Sequence, residues 1–75
     1  MNQQDLDHQT AVGWINSEIN LLRHTIGEQN ASAAVRSVIV MAMLLHVISL
    51  EEKQAYEAQV DAMFKEYNAK LKEVA

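Results

Sequence analysis

Val38-Ile39-Val40-Met41-Ala42-Met43-Leu44-Leu45 is the stretch on which the fold turns. These eight residues are all apolar, and between Ala31 and Ile48 the only polar side chains are Ser32, Arg36, Ser37 and His46. A helix built from such a segment is hydrophobic on every side. It needs cover on every side, from the rest of the chain, from a second copy or from a partner. The β-branched residues Val35, Val38, Ile39 and Val40 raise a strand as the alternative. The run continues as Met-Ala-Met-Leu-Leu, however, and no other segment offers a strand partner. A lone strand would leave its backbone groups unpaired. The expectation is a helix over about 31–47, whose small-residue ridge Ala31, Ala34, Val38 and Ala42 lets another helix approach closely.

The segments on either side read as helices too. Proline is absent, and there are two glycines, Gly13 and Gly27. Val12, Ile15, Ile19, Leu22 and Ile26 alternate spacings of three and four, the pattern of a helical seam. Trp14 and Leu21 widen that seam, while Asn16, Ser17, Asn20, Arg23 and His24 fall on the opposite side. This predicts a first helix over about 5–26, with Gly27 as a left-handed C-terminal residue and Asn30 or Ser32 capping the next helix. Ser49-Leu50-Glu51-Glu52 is a capping box, in which the Ser hydroxyl and the Glu carboxylate each accept a backbone N–H of the other residue. It opens a third helix over about 49–74. The stripe Tyr56, Val60, Met63, Phe64, Tyr67, Leu71 and Val74 is about 100° wide, as for a helix packed on one side. The junction between the second and third helices is a sharp corner or a kink. The fold class is therefore all-α, a three-helix domain over 1–75 with the middle helix between the other two.

Composition narrows the function. A chain of 75 residues has one domain at most. At this size it buries only about 60% of its unfolded surface, so oligomerisation is a common supplement. There is no cysteine, which fits a reducing compartment. The polar, acidic start Met1-Asn2-Gln3-Gln4-Asp5 does not read as a signal peptide, and the expected location is cytoplasmic. The net charge is −4. The cations Arg23, Arg36, Lys53, Lys65, Lys70 and Lys72 form no basic patch, which argues against nucleic acid as a partner. A membrane span over 31–50 would have to hold Arg36 and His46, both costly there, so no membrane partner is expected.

No constellation for chemistry stands out. Asp5-Leu6-Asp7-His8 matches no metal-ligand spacing and reads as an acidic, frayed first turn. His24 lies on the wet face of the first helix. His46 interrupts an apolar helix and reads as a satisfied core or interface histidine. Glu18, between Trp14 and Leu22, reads as a rim carboxylate or the ion-pair partner of Arg36. No P-loop, glycine-rich fingerprint or Ser-His-Asp order is present. No catalytic residue, cofactor or metal is expected.

What remains is a binding protein. A three-helix monomer covers about two sides of the middle helix, leaving Arg36, Val40, Met43 and Val47 as the expected oligomer interface of a two-fold homodimer. The acidic outer face of the third helix, Glu51, Glu57, Asp61 and Glu66, is the expected docking face for a partner protein, with the apolar strip beside Arg36 or the Trp14–Leu21 flank next. The function expected is that of a small acidic non-enzymatic inhibitor, adaptor or regulator. Proteins of this type include phage-encoded inhibitors of host machinery, an analogy of kind without a shared motif. A structural subunit of a larger helical assembly is the alternative, and a small DNA-binding regulator is disfavoured by charge.

Overall fold

In the computed structural model of this chain, residues 2–74 are described, the side chain of Val74 excepted. They form three helices: α1 Gln3–Thr25, α2 Ala33–Leu44 and α3 Leu50–Val74. Among the described residues there is no strand. The last stripe position expected in α3, Val74, has its side chain outside the described residues.

α1 begins earlier than its periodicity suggests, because Asn2 is its N-cap: the Asn2 side chain accepts the backbone N–H of Asp5 at 2.9 Å. One turn on, Gln3 donates to Asp7 at 2.8 Å, an i,i+4 bond along the helix surface. Ile15, Ile19 and Leu22 of the expected seam are fully buried, joined by Ala11. Trp14 and Leu21 do not widen it; both stand in solvent. α2 is half the length of α1 and too narrow to roof the flank on which they lie.

The connection from α1 to α2 corrects two expectations. Gly27 has no positive φ, and the left-handed residue of this turn is Asn30 at φ 60°. Ser32 occupies the N-cap place of α2 in αR geometry, with no capping bond from its side chain. Gly27 has a different use. A Cβ there would lie 2.5 Å from the Tyr67 hydroxyl oxygen, so the missing side chain lets α3 lie against the end of α1.

α2 ends at Leu44, three residues short of the helix end expected at about 47. His46 adopts φ 61°. Its N–H donates to the Met43 carbonyl at 2.9 Å, and the Val47 N–H donates to the Ala42 carbonyl at 3.0 Å. These paired bonds make a Schellman motif with histidine in the left-handed place that glycine usually takes. His46 is accordingly an exposed terminator of α2, which removes the core half of the core-or-interface expectation. The corner runs into α3 through Ser49. There the capping box forms in both halves: the Glu52 N–H donates to Ser49 Oγ at 3.1 Å, and the Ser49 N–H donates to Glu52 Oε1 at 2.9 Å.

α2 packs against both neighbours, whereas α1 and α3 approach each other only marginally. His8 pairs with Glu52, and Gly27 abuts Tyr67. α1 and α3 therefore run the same way, with α2 antiparallel between them. The core is Ala11, Ile15, Ile19 and Leu22 from α1, Val35, Ile39 and Ala42 from α2, with Ile48 and Val60. The buried line of α2 is thus Val35–Ile39–Ala42. Of the small-residue ridge expected there, Ala42 is buried and Ala34 is exposed. Tyr56, Met63 and Phe64 of the α3 stripe pack on the core edge, while Leu71 lies beyond it in solvent.

Candidate functional site

With Val35, Ile39 and Ala42 turned inward, the rest of an almost wholly apolar helix faces out. Val40 is 39% exposed, Met41 54%, Leu44 66% and Leu45 67%, and Trp14 beside them is 54% exposed. Single exposed hydrophobics need no explanation, but a contiguous group of large ones marks an interaction surface.

Two features make up this surface. The first is a groove between α1 and α2, lined by Thr10, Ala11 and Trp14 from one side and Val38, Met41, Ala42 and Leu45 from the other, with Val47 and Asp7 at its end. Its depth has a simple cause. Ala11 and Ala42 are buried and small, so they form a floor between the taller walls of Trp14, Met41 and Leu45. The second feature is the outward ridge of α2, where Ser37, Val40, Met41 and Leu44 follow one another at helical spacing with Arg36 at the edge. Of the two expectations for Glu18, the ion pair with Arg36 does not form, and Glu18 is half-buried as a rim carboxylate would be. The Arg36 guanidinium reaches Asp61 of α3 at 2.7 Å.

Of the four residues expected at an oligomer interface, Val40 lies on the ridge and Arg36 beside it. Met43 and Val47 are half-buried against the core, Val47 also reaching the groove. The acidic face of α3 is largely matched by cations. Glu57 lies 3.1 Å from Lys53, Asp61 pairs with Arg36, and Glu66 lies 3.4 Å from Lys70; Glu51 is exposed. Paired in this way, Glu57, Asp61 and Glu66 project little net field toward a partner.

A polar cluster closes the end of the molecule where α1 starts and α3 begins. His8 Nε2 lies 2.6 Å from Glu52 Oε2 across 44 residues of sequence. The N-terminal turn of α1, expected to fray, is thereby tied to the N-terminus of α3. The Ser49 backbone N–H and, after it, the His8 ring hold the Glu52 carboxyl below the usual carboxylate range. Burial pushes the nearby Tyr56 hydroxyl up, and the charge on Glu52 adds to this. Among the described residues no polar side chain is buried, and no three His, Cys, Asp or Glu side chains gather in a way that could hold a metal ion. No helix among them is long and apolar enough to cross a membrane.

Comparison with protein-family models, curated proteins and solved structures finds no match to this chain.

The exposure of Met41, Leu44 and Leu45 could not be assigned from sequence. The run is apolar all round, so it announces that something must cover α2 without saying which side the chain itself covers. The His8–Glu52 pair had no local signal, because its partners are far apart in sequence.

Proposed function

We propose that this chain works by binding another protein, as an inhibitor, adaptor or regulator, through the apolar surface shared by α1 and α2. The observation that carries this reading is the groove walled by Trp14, Met41 and Leu45. Such a trough between two helices has the shape that receives an apolar helix face. Tryptophan is a frequent anchor of such contacts. Among the described residues, Asp7 is the charged residue lining the groove, and no cation lines it. The occupant that fits is an amphipathic helical segment with an apolar stripe and a Lys or Arg near its end. Self-association of the chain into a homodimer belongs to the same reading, since exposed apolar surface on a small acidic protein serves both.

Affinity capture with matched baits tests this. Wild type, Trp14→Asp and the charge reversal Glu51→Lys/Glu66→Lys are compared, each checked for unchanged helicity. A specific partner should be retained by the wild type and by the charge reversal, and lost with Trp14→Asp. A partner that survives Trp14→Asp and is lost on charge reversal would move the docking face to α3.

A further inference from the structure

We propose that the outward ridge of α2 pairs with the same ridge of a second copy, antiparallel, about a two-fold axis beside Val40 and Met41. This rests on reading the α1–α2 surface as a protein-binding one, and it names an occupant for the part of that surface away from the groove.

The first argument is shape. Along the exposed side of α2 the residues are Ala33, Ala34 and Ser37, followed by Val40, Met41 and Leu44. Side chains are small in the N-terminal half and large in the C-terminal half. A two-fold contact must be self-complementary, with residue i on j and j on i. Antiparallel pairing about that axis sets the bulky end of each ridge, Leu44, on a small residue of the other, while Val40 and Met41 of the two copies interleave at the centre. Leu44 then lies over the partner's Ser37, and Val40 next to the partner's Met41. A parallel pair would set bulk against bulk at one end and leave a void at the other, and voids forfeit contact energy.

The second argument is charge. Near a two-fold axis every charge meets its own copy. The ridge carries no carboxylate, so none of the excess acidic charge of the protein faces itself there. Its edge cation, Arg36, is already bonded to Asp61 of its own chain at 2.7 Å. Size sets the strength. α2 has 12 residues and is about 18 Å long. That footprint falls short of the ~800 Å² per partner of a standard interface, so dissociation in the micromolar range is expected.

The chain has no cysteine, so introduced ones report the pairing cleanly under mild oxidation. Val40→Cys, beside the axis, should link to its own copy. Leu44→Cys alone should not, since two copies of that position stand about 10 Å apart along the axes. A mixture of Ser37→Cys and Leu44→Cys should give the mixed product. Sedimentation of the wild type should show a dimer–monomer equilibrium, and Val40→Asp should raise its dissociation constant at least tenfold with helicity unchanged. Self-linking of Leu44→Cys without the mixed product would overturn the antiparallel arrangement. A wild type monomeric at 100-fold above the micromolar range would overturn the pairing altogether. Neither failure touches the groove reading, which stands or falls with Trp14→Asp. Loss of capture on Trp14→Asp with the dimer intact would separate the two sites directly.

Discussion

His46 holds a backbone conformation that suits glycine. At φ 61° its Cβ crowds the following carbonyl, a cost of about 1–2 kcal/mol for most L-residues, softened for histidine, which is among the residues enriched there. Its two neighbouring Schellman bonds require that conformation. His46→Gly should therefore raise stability by up to about 1 kcal/mol after the extra entropy of glycine in the unfolded chain is counted. Urea denaturation of the two proteins measures this, and a decrease would mean that the imidazole has a role beyond ending the helix. Gly27 is the converse case. The sequence marks it as a helix terminator by position alone, yet its purpose is clearance for Tyr67, forty residues on. No local rule reveals that. Gly27→Ala should cost more in the wild type than in a Tyr67→Phe background, because the phenyl ring lacks the oxygen that lies 2.5 Å from the new methyl. A double-mutant cycle should give a coupling of about 0.5 kcal/mol or more, in the range of residues in direct contact.

At the scale of elements, the start of α3 was the most legible feature, because a capping box is written entirely in local sequence. Ser49→Ala should destabilise the protein by about 1 kcal/mol, read from melting curves. Glu52 extends the same box to α1 through His8, and this gives it a pH signature. Its carboxyl titrates lower in the folded chain than in the unfolded one. Its contribution is thus fully present above the unfolded carboxylate value, about pH 4.3, and is lost as pH falls through the lower folded value. Glu52→Gln should lower stability at neutral pH and flatten the loss of stability on acidification below about pH 4.3. Parallel acid slopes in the two proteins would show that other carboxylates govern acid unfolding. The face of α2 was the least legible element. An amphipathic helix declares its buried side by the polar residues opposite, as α1 does with Ile15, Ile19 and Leu22. α2 has almost none, so its buried line could only come from how α1 and α3 close around it.

The whole molecule is an elongated body of 51 × 20 × 18 Å, set by two long helices that flank one of 12 residues. Its proportions explain where apolar surface is left over. The inner sides of α1 and α3 are satisfied along the length of α2. Beyond it Leu6 and Leu71 stand in solvent, and α2 itself is uncovered on the side away from both. The count of helices available to cover α2 implied an uncovered side, expected at Arg36, Val40, Met43 and Val47. Val40 is exposed and Arg36 lies at the edge, but Met43 and Val47 are half-buried, and Met41, Leu44 and Leu45 stand out in their place. The rotation of a uniformly apolar helix is fixed by tertiary packing alone. Trp14 makes the outcome measurable in the intact protein. It is the only tryptophan, it is half exposed, and it walls the groove while lying off the ridge of α2. Its emission in the free chain should be that of a solvated indole. Dilution through the proposed dimer–monomer transition should leave that emission unchanged, because pairing along Ser37, Val40 and Leu44 would not cover it. A partner helix seated in the groove should shift it to the blue. If dilution alone moves the emission, the second copy occupies the groove, and one surface must serve both kinds of contact.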